Sequence, residues 1–277
     1  MARIVTFALS VTFTLATVTP AEAVHVVVAG DIGSSGSGDT QTADRVIALD
    51  PDFVLTVGDH AYPDGTGSQF NRYYEPTWGR FRSITRPSPG NHDWMTRGAA
   101  GYESYFHVQA GRVRSFVLGS WLVVSLDSNV RIARQRTRLA TVLSSDDRRC
   151  ELLFFHHPRW SSGQNGNQQG VAAWWRTAYA NGVDVILNGH DHDYERFARK
   201  RPSGRVAADG IREFVVGMGG VETRSFSSRK SGSQKRITGN DNWGVLDLAL
   251  RPGAYRWRFI DADSGDRLDA GLSRCHA

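Results

Sequence analysis

The sequence predicts a mixed α/β sandwich, on three observations. Short β-branched runs alternate with amphipathic stretches in the first half, later apolar runs follow with few helices between them, and five runs end abruptly in polar blocks. Strand, helix, strand alternation implies a largely parallel sheet with right-handed crossovers, and such sheets bind ligands beyond the carboxyl ends of their strands. The polar blocks therefore mark where a site should lie.

The chain has 277 residues, 40% hydrophobic and 22% charged, enough for one large domain, expected over 24–277. Residues 1–23 have the pattern of an export leader: Arg3 gives a short positive region, 4–18 an apolar core, and Ala21-Glu22-Ala23 a small-residue cleavage site. That core is too short to span a bilayer, and no second run of about 18 apolar residues occurs. The leader has neither a twin arginine nor a lipid-accepting cysteine. The expected product is secreted, extracellular or periplasmic, with no membrane association. Cys150 and Cys275 are the only cysteines, and in an oxidising compartment such a pair is expected as a disulfide.

The elements follow in order. Val24–Ala29 forms a buried strand ending in Gly30-Asp31-Ile32-Gly33, and a helix is expected over 40–49, with Ala43, Val46, Ile47 and Leu49 at helical spacing. A strand over 53–57 delivers Gly58-Asp59-His60-Ala61-Tyr62. After a turn-rich aromatic segment over 63–81, a short extended piece at 84–89 ends in Gly90-Asn91-His92-Asp93. Arg114–Leu118 and 121–126 flank Gly119-Ser120 as a hairpin, and 135–143 is expected as a helix with Leu139 and Leu143 inward. A strand over 151–155 ends in His156-His157-Pro158, and a helix over 169–180 leads to a strand over 183–187. The remaining runs, 214–217, 244–250 and 255–260, are expected as mostly antiparallel strands closing the second layer.

The block after residue 187, Asn188-Gly189-His190-Asp191-His192-Asp193-Tyr194-Glu195-Arg196, is the most informative. In an extended backbone, side chains two apart project to the same side, so His190 and His192 offer two imidazoles while Asp191 points away. An aspartate after glycine is ordinarily turn chemistry and a lone histidine ordinarily a satisfied side chain. Asp31, Asp59, Asn91, His156 and His190, however, all lie just past a strand end. Carboxylates, an amide oxygen, imidazoles and a phenol are the donors a dinuclear metal centre needs.

The charge of +5 suits an anionic substrate, but the positive residues are scattered and the densest cluster, Arg199-Lys200-Arg201, is short, so nucleic acid binding is not expected. No G-x-x-x-x-G-K-[ST], G-x-G-x-x-G, G-x-S-x-G or H-E-x-x-H occurs. Those absences argue against nucleotide-fold, serine hydrolase and zinc protease chemistry.

Taken in order, G-D-x-G, G-D-x-x-Y, G-N-H-D, H-H-P and G-H-D-H-x-Y-E-R resemble the blocks of the calcineurin-like metallophosphoesterases, and specifically their purple acid phosphatase branch. The resemblance covers essentially the whole chain after the leader. It implies a four-layer α/β/β/α sandwich and a secreted phosphomonoesterase acting on small phosphate esters through hydroxide held at two ions. It also implies a ligand set: Asp31, Asp59, Tyr62 and His192 for Fe3+, and Asp59, Asn91, His156 and His190 for a divalent ion, Fe2+, Zn2+ or Mn2+, with Asp59 bridging. Tyr62 distinguishes the branch, because a phenolate is a hard anionic donor favouring trivalent iron. His156 is matched to the family ligand because one residue separates that ligand from the proline; His157 fills the variable place. His92 matches the family histidine that stabilises charge on the transferring group.

One position departs from the family. Where its members often have a histidine nine residues after the His156-type ligand, this chain has Asn165, whose amide can hydrogen-bond but not act as a general acid. His157, or a water held by Asn165, is the expected substitute. The rival readings are a phosphodiesterase on the same site and, in another class, a non-catalytic phosphate-binding protein.

Overall fold

A computed structural model describes residues 23–239 and 242–276. The leader expected over 1–23 lies, except for its last residue, outside the described residues. Strands β1 (Val24–Ala29), β2 (Phe53–Thr56) and β3 (Thr85–Pro87) run parallel; β1 and β2 are nearly continuous in apolar residues because both faces are covered, whereas β3 is a short edge strand of Thr, Arg and Pro. Helix α1 (Gly38–Leu49) makes the first crossover. The aromatic segment that follows is more helical than its turn residues suggest. It holds the single turn α2 (Gly67–Gln69), a π-helical turn at Phe70–Tyr74 and a 3-10 turn at Trp78–Ile84, and α3 (Ala100–Phe106) follows β3.

The second sheet begins with the hairpin β4 (Arg114–Leu118) and β5 (Trp121–Ser125), then α4 (Ile132–Ser144), β6 (Cys150–Phe154), α5 (Ala172–Ala180) and β7 (Val185–Asn188). Beyond these come β8 (Tyr194–Phe197), β9 (Arg212–Val216), β10 (Ser233–Ile237), β11 (Gly244–Arg251), β12 (Ala254–Asp261) and β13 (Arg267–Arg274). The strand orders are β13-β12-β11-β1-β2-β3 and β10-β8-β9-β7-β6-β5-β4.

This corrects one expectation. The late strands do not together close the second layer: β11 pairs antiparallel with β1, Val26 opposite Leu248, and brings β12 and β13 into the first sheet, while β9 runs parallel to β7 in the second. An apolar run carries no address for its sheet; long-range pairing decides it. Strands β8, β10 and β13 were not anticipated, because β10 and β13 are polar edge strands and β8 lies inside a motif.

Four layers follow from where alternate side chains go. Val26, Val28, Leu55 and Val57 meet Val123, Leu152, Phe154 and Leu187 between the sheets. Val27, Ala29 and Val54 face outward onto Ala43 and Val46 of α1 and onto Trp78 and Tyr102. Leu153 and Ile186 face the other way, onto Leu139, Leu143, Trp174 and Trp175 of α4 and α5. Ile47, counted with the apolar stripe of α1, is instead 50% exposed. Among the described residues, no helix is long and apolar enough to cross a membrane.

The chain end is tied down twice. Cys150 and Cys275, 125 residues apart, form the expected disulfide. Next to it, His276 places Nδ1 3.1 Å from Asp184 Oδ1 and 3.2 Å from Gly182 O, and Nε2 3.0 Å from Gly210 O. Acceptors at both ring nitrogens favour imidazolium, and the hydrogen bond to Asp184 raises the pKa of His276 even though burial opposes it. Nearby, burial, with Asp146 and Asp184, pushes Glu151 up to about 8. Both folded pKa values exceed their unfolded ones, so both contributions are fully present at low pH and are lost as pH rises through the folded values. Thermal unfolding should occur at lower temperature near about pH 9 than near about pH 6, and His276→Ala should shrink that difference. Equal differences in wild type and variant would remove His276 from the latch.

Candidate metal centre

The loops after β1 and β2 run side by side beyond the sheet. Asp31 N–H donates to Gly58 O at 3.0 Å, Ile32 N–H to Asp59 O at 2.9 Å and Gly33 N–H to His60 O at 2.9 Å, so Asp31 and Asp59 emerge together. Asp31, Asp59 and His190 are non-glycine residues with left-handed backbone, φ 60°, 54° and 74°. Strain of this kind persists where the surroundings enforce it, and it concentrates at functional sites. Two glycines make the close approach possible: a Cβ on Gly58, itself at φ 102°, would lie 2.5 Å from His156 Nδ1, and one on Gly90 would lie 2.1 Å from Asp59 Oδ1.

His190 and His192 reach the site by a different route from the one expected. The chain bends after Asn188 rather than staying extended, and the left-handed His190 turns both rings inward. Asp191 does point away, into the loop after His156, where it accepts from Ser161 Oγ, from Asn165 N at 2.7 Å and from Gly166 N at 3.2 Å.

All the expected ligands converge, in two groups. Tyr62 Oη lies 3.0 Å from Asp31 Oδ1, 3.0 Å from Asp59 Oδ2 and 3.3 Å from His192 Nε2. His156 Nε2 lies 3.0 Å from Asn91 Oδ1, 3.2 Å from His190 Nδ1 and 3.2 Å from Asp59 Oδ2. Asp59 Oδ2 thus touches a donor of each group. Ligand atoms of Asp31, Asp59 and His156 all lie within 4.8 Å of one another.

The donor chemistry fits a pair of cations. His156 donates Nδ1–H to Val57 O at 2.9 Å and His192 donates Nδ1–H to Glu222 O at 2.9 Å, which leaves each neutral ring with an Nε2 lone pair aimed into the cluster. A second ring nitrogen fixed on a backbone carbonyl is the usual support of a metal-bound histidine. Around His156 Nε2, lone pairs of a carboxylate, an amide oxygen and another imidazole then face one another, an arrangement that only positive charge reconciles.

The proton affinities show the same demand. Burial pushes Asp31 up to about 7 and, with Asp31 and Asp59 adjacent, holds the Tyr62 phenol well above its usual value. Burial opposes ionisation of Asp59 too, but His156 outweighs it and keeps Asp59 below the usual carboxylate range. Burial would depress His156, yet the Asp59 charge carries it up to about 9. His192 falls to about 4, through burial and Arg224, and His190 is lowered by burial and by His156. A buried cation would displace the protons on Asp31 and Tyr62 and take over the role of protonated His156.

Residues the motif reading passed over hold this frame. Asp93 accepts from Asp59 N at 3.1 Å, His60 N at 3.2 Å, Gly90 N at 2.8 Å and His60 Nδ1 at 2.9 Å, and His60 Nε2 meets Thr56 Oγ1 at 2.7 Å. One buried carboxylate thereby joins the loops after β2 and β3. Glu195 accepts from Ser162 N at 2.7 Å and Oγ at 2.6 Å, and Glu213 from Arg159 N at 2.8 Å. The loop after His156 is therefore held through its own amides. Asp93 and Glu195 stand inside the sequence motifs, so an acid beside a ligand was the available signal; Glu213 carried none.

The remaining candidates differ in posture. His92 N–H donates to Asp59 Oδ1 at 2.7 Å, its Nδ1 meets Pro63 O at 2.5 Å, and its ring lies tilted against that of Tyr62, centroids 4.2 Å apart. Asn165 Nδ2–H donates to His190 O at 2.7 Å, so its amide clamps the ligand turn. His157 lies 4.4 Å from His190, ring to ring.

Known proteins place this arrangement. Purple acid phosphatase 15 of Arabidopsis thaliana is 26% identical over 224 residues, covering 63% of this chain and 41% of that protein. Purple acid phosphatase 18 of the same plant is 25% identical over 228 residues, covering 70% of this chain and 49% of that protein. This chain thus spans less than half the length of either relative. The structure of the purple acid phosphatase PPD1 from yellow lupin seeds superposes with a TM-score of 0.82 at 18% identity, over 92% of this chain and 54% of that one, and so shares the fold. The calcineurin-like phosphoesterase family model matches residues 24–194, more than half of the sequence and every predicted ligand, and on that match the chain belongs to the calcineurin-like phosphoesterase family.

Proposed function

We propose that this protein is an exported phosphatase of purple acid phosphatase type, hydrolysing small phosphate monoesters at a dinuclear centre of Fe3+ and a divalent ion, Fe2+, Zn2+ or Mn2+. The observation that carries the proposal is the meeting of Tyr62 Oη with Asp31, Asp59 and His192 beside the cluster on His156 Nε2. The disulfide supports export.

Tyr62, Asp31 and His192 would hold the iron, Asn91, His156 and His190 the divalent ion, and Asp59 both. When bound, such ions lower the pKa of water and neutralise phosphoryl charge. The chain's own part is orientation. His92, fixed by Pro63 O and by the hydrogen bond its backbone N–H donates to Asp59 Oδ1, has an Nε2 that no described residue bonds and that would meet a phosphoryl oxygen. Asn165 spends its Nδ2–H on His190 O, and being an amide it leaves proton donation to another group or to solvent.

The test is elemental analysis of the purified protein, its visible spectrum, and turnover of an aryl phosphate against a bis-aryl phosphate. Two ions per chain, at least one of them iron, and preference for the monoester are expected. Tyr62→Phe should abolish the visible band while the other donors stay in place. A colourless wild type holding only divalent ions would remove the purple assignment, and a preference for the diester would change the substrate class.

A further inference from the structure

We propose that Ser128 fixes His157 as a neutral imidazole carrying its proton on Nε2, and that this N–H donates a hydrogen bond to a phosphoryl oxygen of the substrate. Ser128 follows the end of β5, in a loop held from several sides. Leu126 N–H donates to Phe154 O at 3.1 Å, and Asp127 accepts from Gly111 N at 2.7 Å, Asn129 N at 3.0 Å and Trp94 Nε1 at 3.0 Å. Ser128 Oγ consequently has a set position beside His157, 3.0 Å from its backbone nitrogen and 2.7 Å from its Nδ1.

The two contacts assign the protons. A backbone N–H can only donate, so Ser128 Oγ accepts from His157 N. Among the described residues, the remaining partner of the hydroxyl is His157 Nδ1. With the hydroxyl hydrogen directed to Nδ1, that nitrogen presents its lone pair and the ring proton sits on Nε2. The opposite tautomer would leave the serine hydrogen without a protein acceptor among the described residues.

Position makes this proton useful. The His157 ring stands 4.4 Å from that of His190 and 5.1 Å from that of His156, beside the donors assigned to the divalent ion. Among the described residues nothing bonds His157 Nε2, and His157 is only partly buried beside the cluster. His92 packs against Tyr62, in the other group. The two histidines would thus grip a phosphate from opposite sides of the centre. Ser128 is a positioning residue; His157 touches the ester.

This inference rests on the proposed phosphatase reading, and the experiment separates the two. In the Zn2+-loaded full chain, nitrogen-edited NMR of the histidine rings should give the Nε2–H tautomer for His157, retained in Ser128→Thr and lost or mixed in Ser128→Ala. His157→Ala should weaken inhibition by inorganic phosphate and lower kcat/KM for an aryl phosphate by about 10–100-fold, the weight of one hydrogen bond to a charged group. His157→Gln, which sets an amide N–H near the place of Nε2, should recover most of that loss, and His157→Asn should not. Metal content and circular dichroism should match wild type throughout. An Nδ1–H signal in wild type, or phosphate inhibition unchanged in His157→Ala, overturns the inference. Failure of the wild type to hydrolyse any phosphate ester overturns the phosphatase reading instead, and leaves the tautomer and the phosphate titration to be read.

Discussion

Asp59→Asn should abolish most activity, lowering kcat/KM for an aryl phosphate by at least about 10³-fold, and should deplete both ions. Among the described residues Asp59 is the one side chain that touches donors of both groups, with Oδ2 at 3.0 Å from Tyr62 Oη and 3.2 Å from His156 Nε2, while Oδ1 accepts His92 N–H at 2.7 Å. An asparagine would turn its oxygen toward the His92 amide, which can only donate, and so set its NH2 toward the metal positions. A donor would then stand where two cations need a shared anion. Losing several kcal/mol of charge stabilisation gives a rate penalty of that order, about 1.4 kcal/mol for each tenfold. Metal content measured beside kcat/KM decides the matter. Full occupancy with unchanged activity would show that Asp59 bridges nothing.

Removing the disulfide should have the largest effect on stability. The Cys150→Ser, Cys275→Ser double variant frees a loop of 125 residues, which loop entropy values at roughly 4–5 kcal/mol in the unfolded state. Both half-cystines are buried between the two sheets. Cys150 opens β6, and His156 stands just past that strand's far end, so the loss should fall on folding and leave the site intact. Urea unfolding of the double variant, with activity per folded molecule measured in parallel, tests both halves. A loss under about 1 kcal/mol would mean that the hairpin pairing of β13 and the His276 contacts already hold the chain end, and that the loop closure of the entropy model is redundant.

The legible part of this protein was its local chemistry. Gly-Asp, Gly-Asn-His and Gly-His-x-His blocks stood at strand ends because a ligand at a strand's carboxyl end needs a small residue before it, so that neighbouring loops can close to the distances seen at Gly58 and Gly90. Residue type alone distinguished the donors, and export chemistry paired the cysteines. The His190 and His192 reading placed both side chains at the cluster through the wrong backbone, because strand alternation and a left-handed bend can both bring side chains two apart together.

What the sequence by itself supplied was therefore the set of candidate donor side chains, the order in which strand ends deliver them, and the alternation of strands and helices that makes a sandwich. Only the tertiary structure decided which sheet receives β11 to β13, which partners the ring nitrogens of His156, His157 and His192 meet, and which buried carboxylates hold the loops. The reason is the range of the interaction. Donor type and turn preference belong to single residues and their neighbours, whereas the pairing of Val26 with Leu248 depends on burial across the whole chain. The contact between Ser128 and His157, like the grip of Asp93 on the Asp59 loop, depends on where two distant strands end, and no local pattern encodes that.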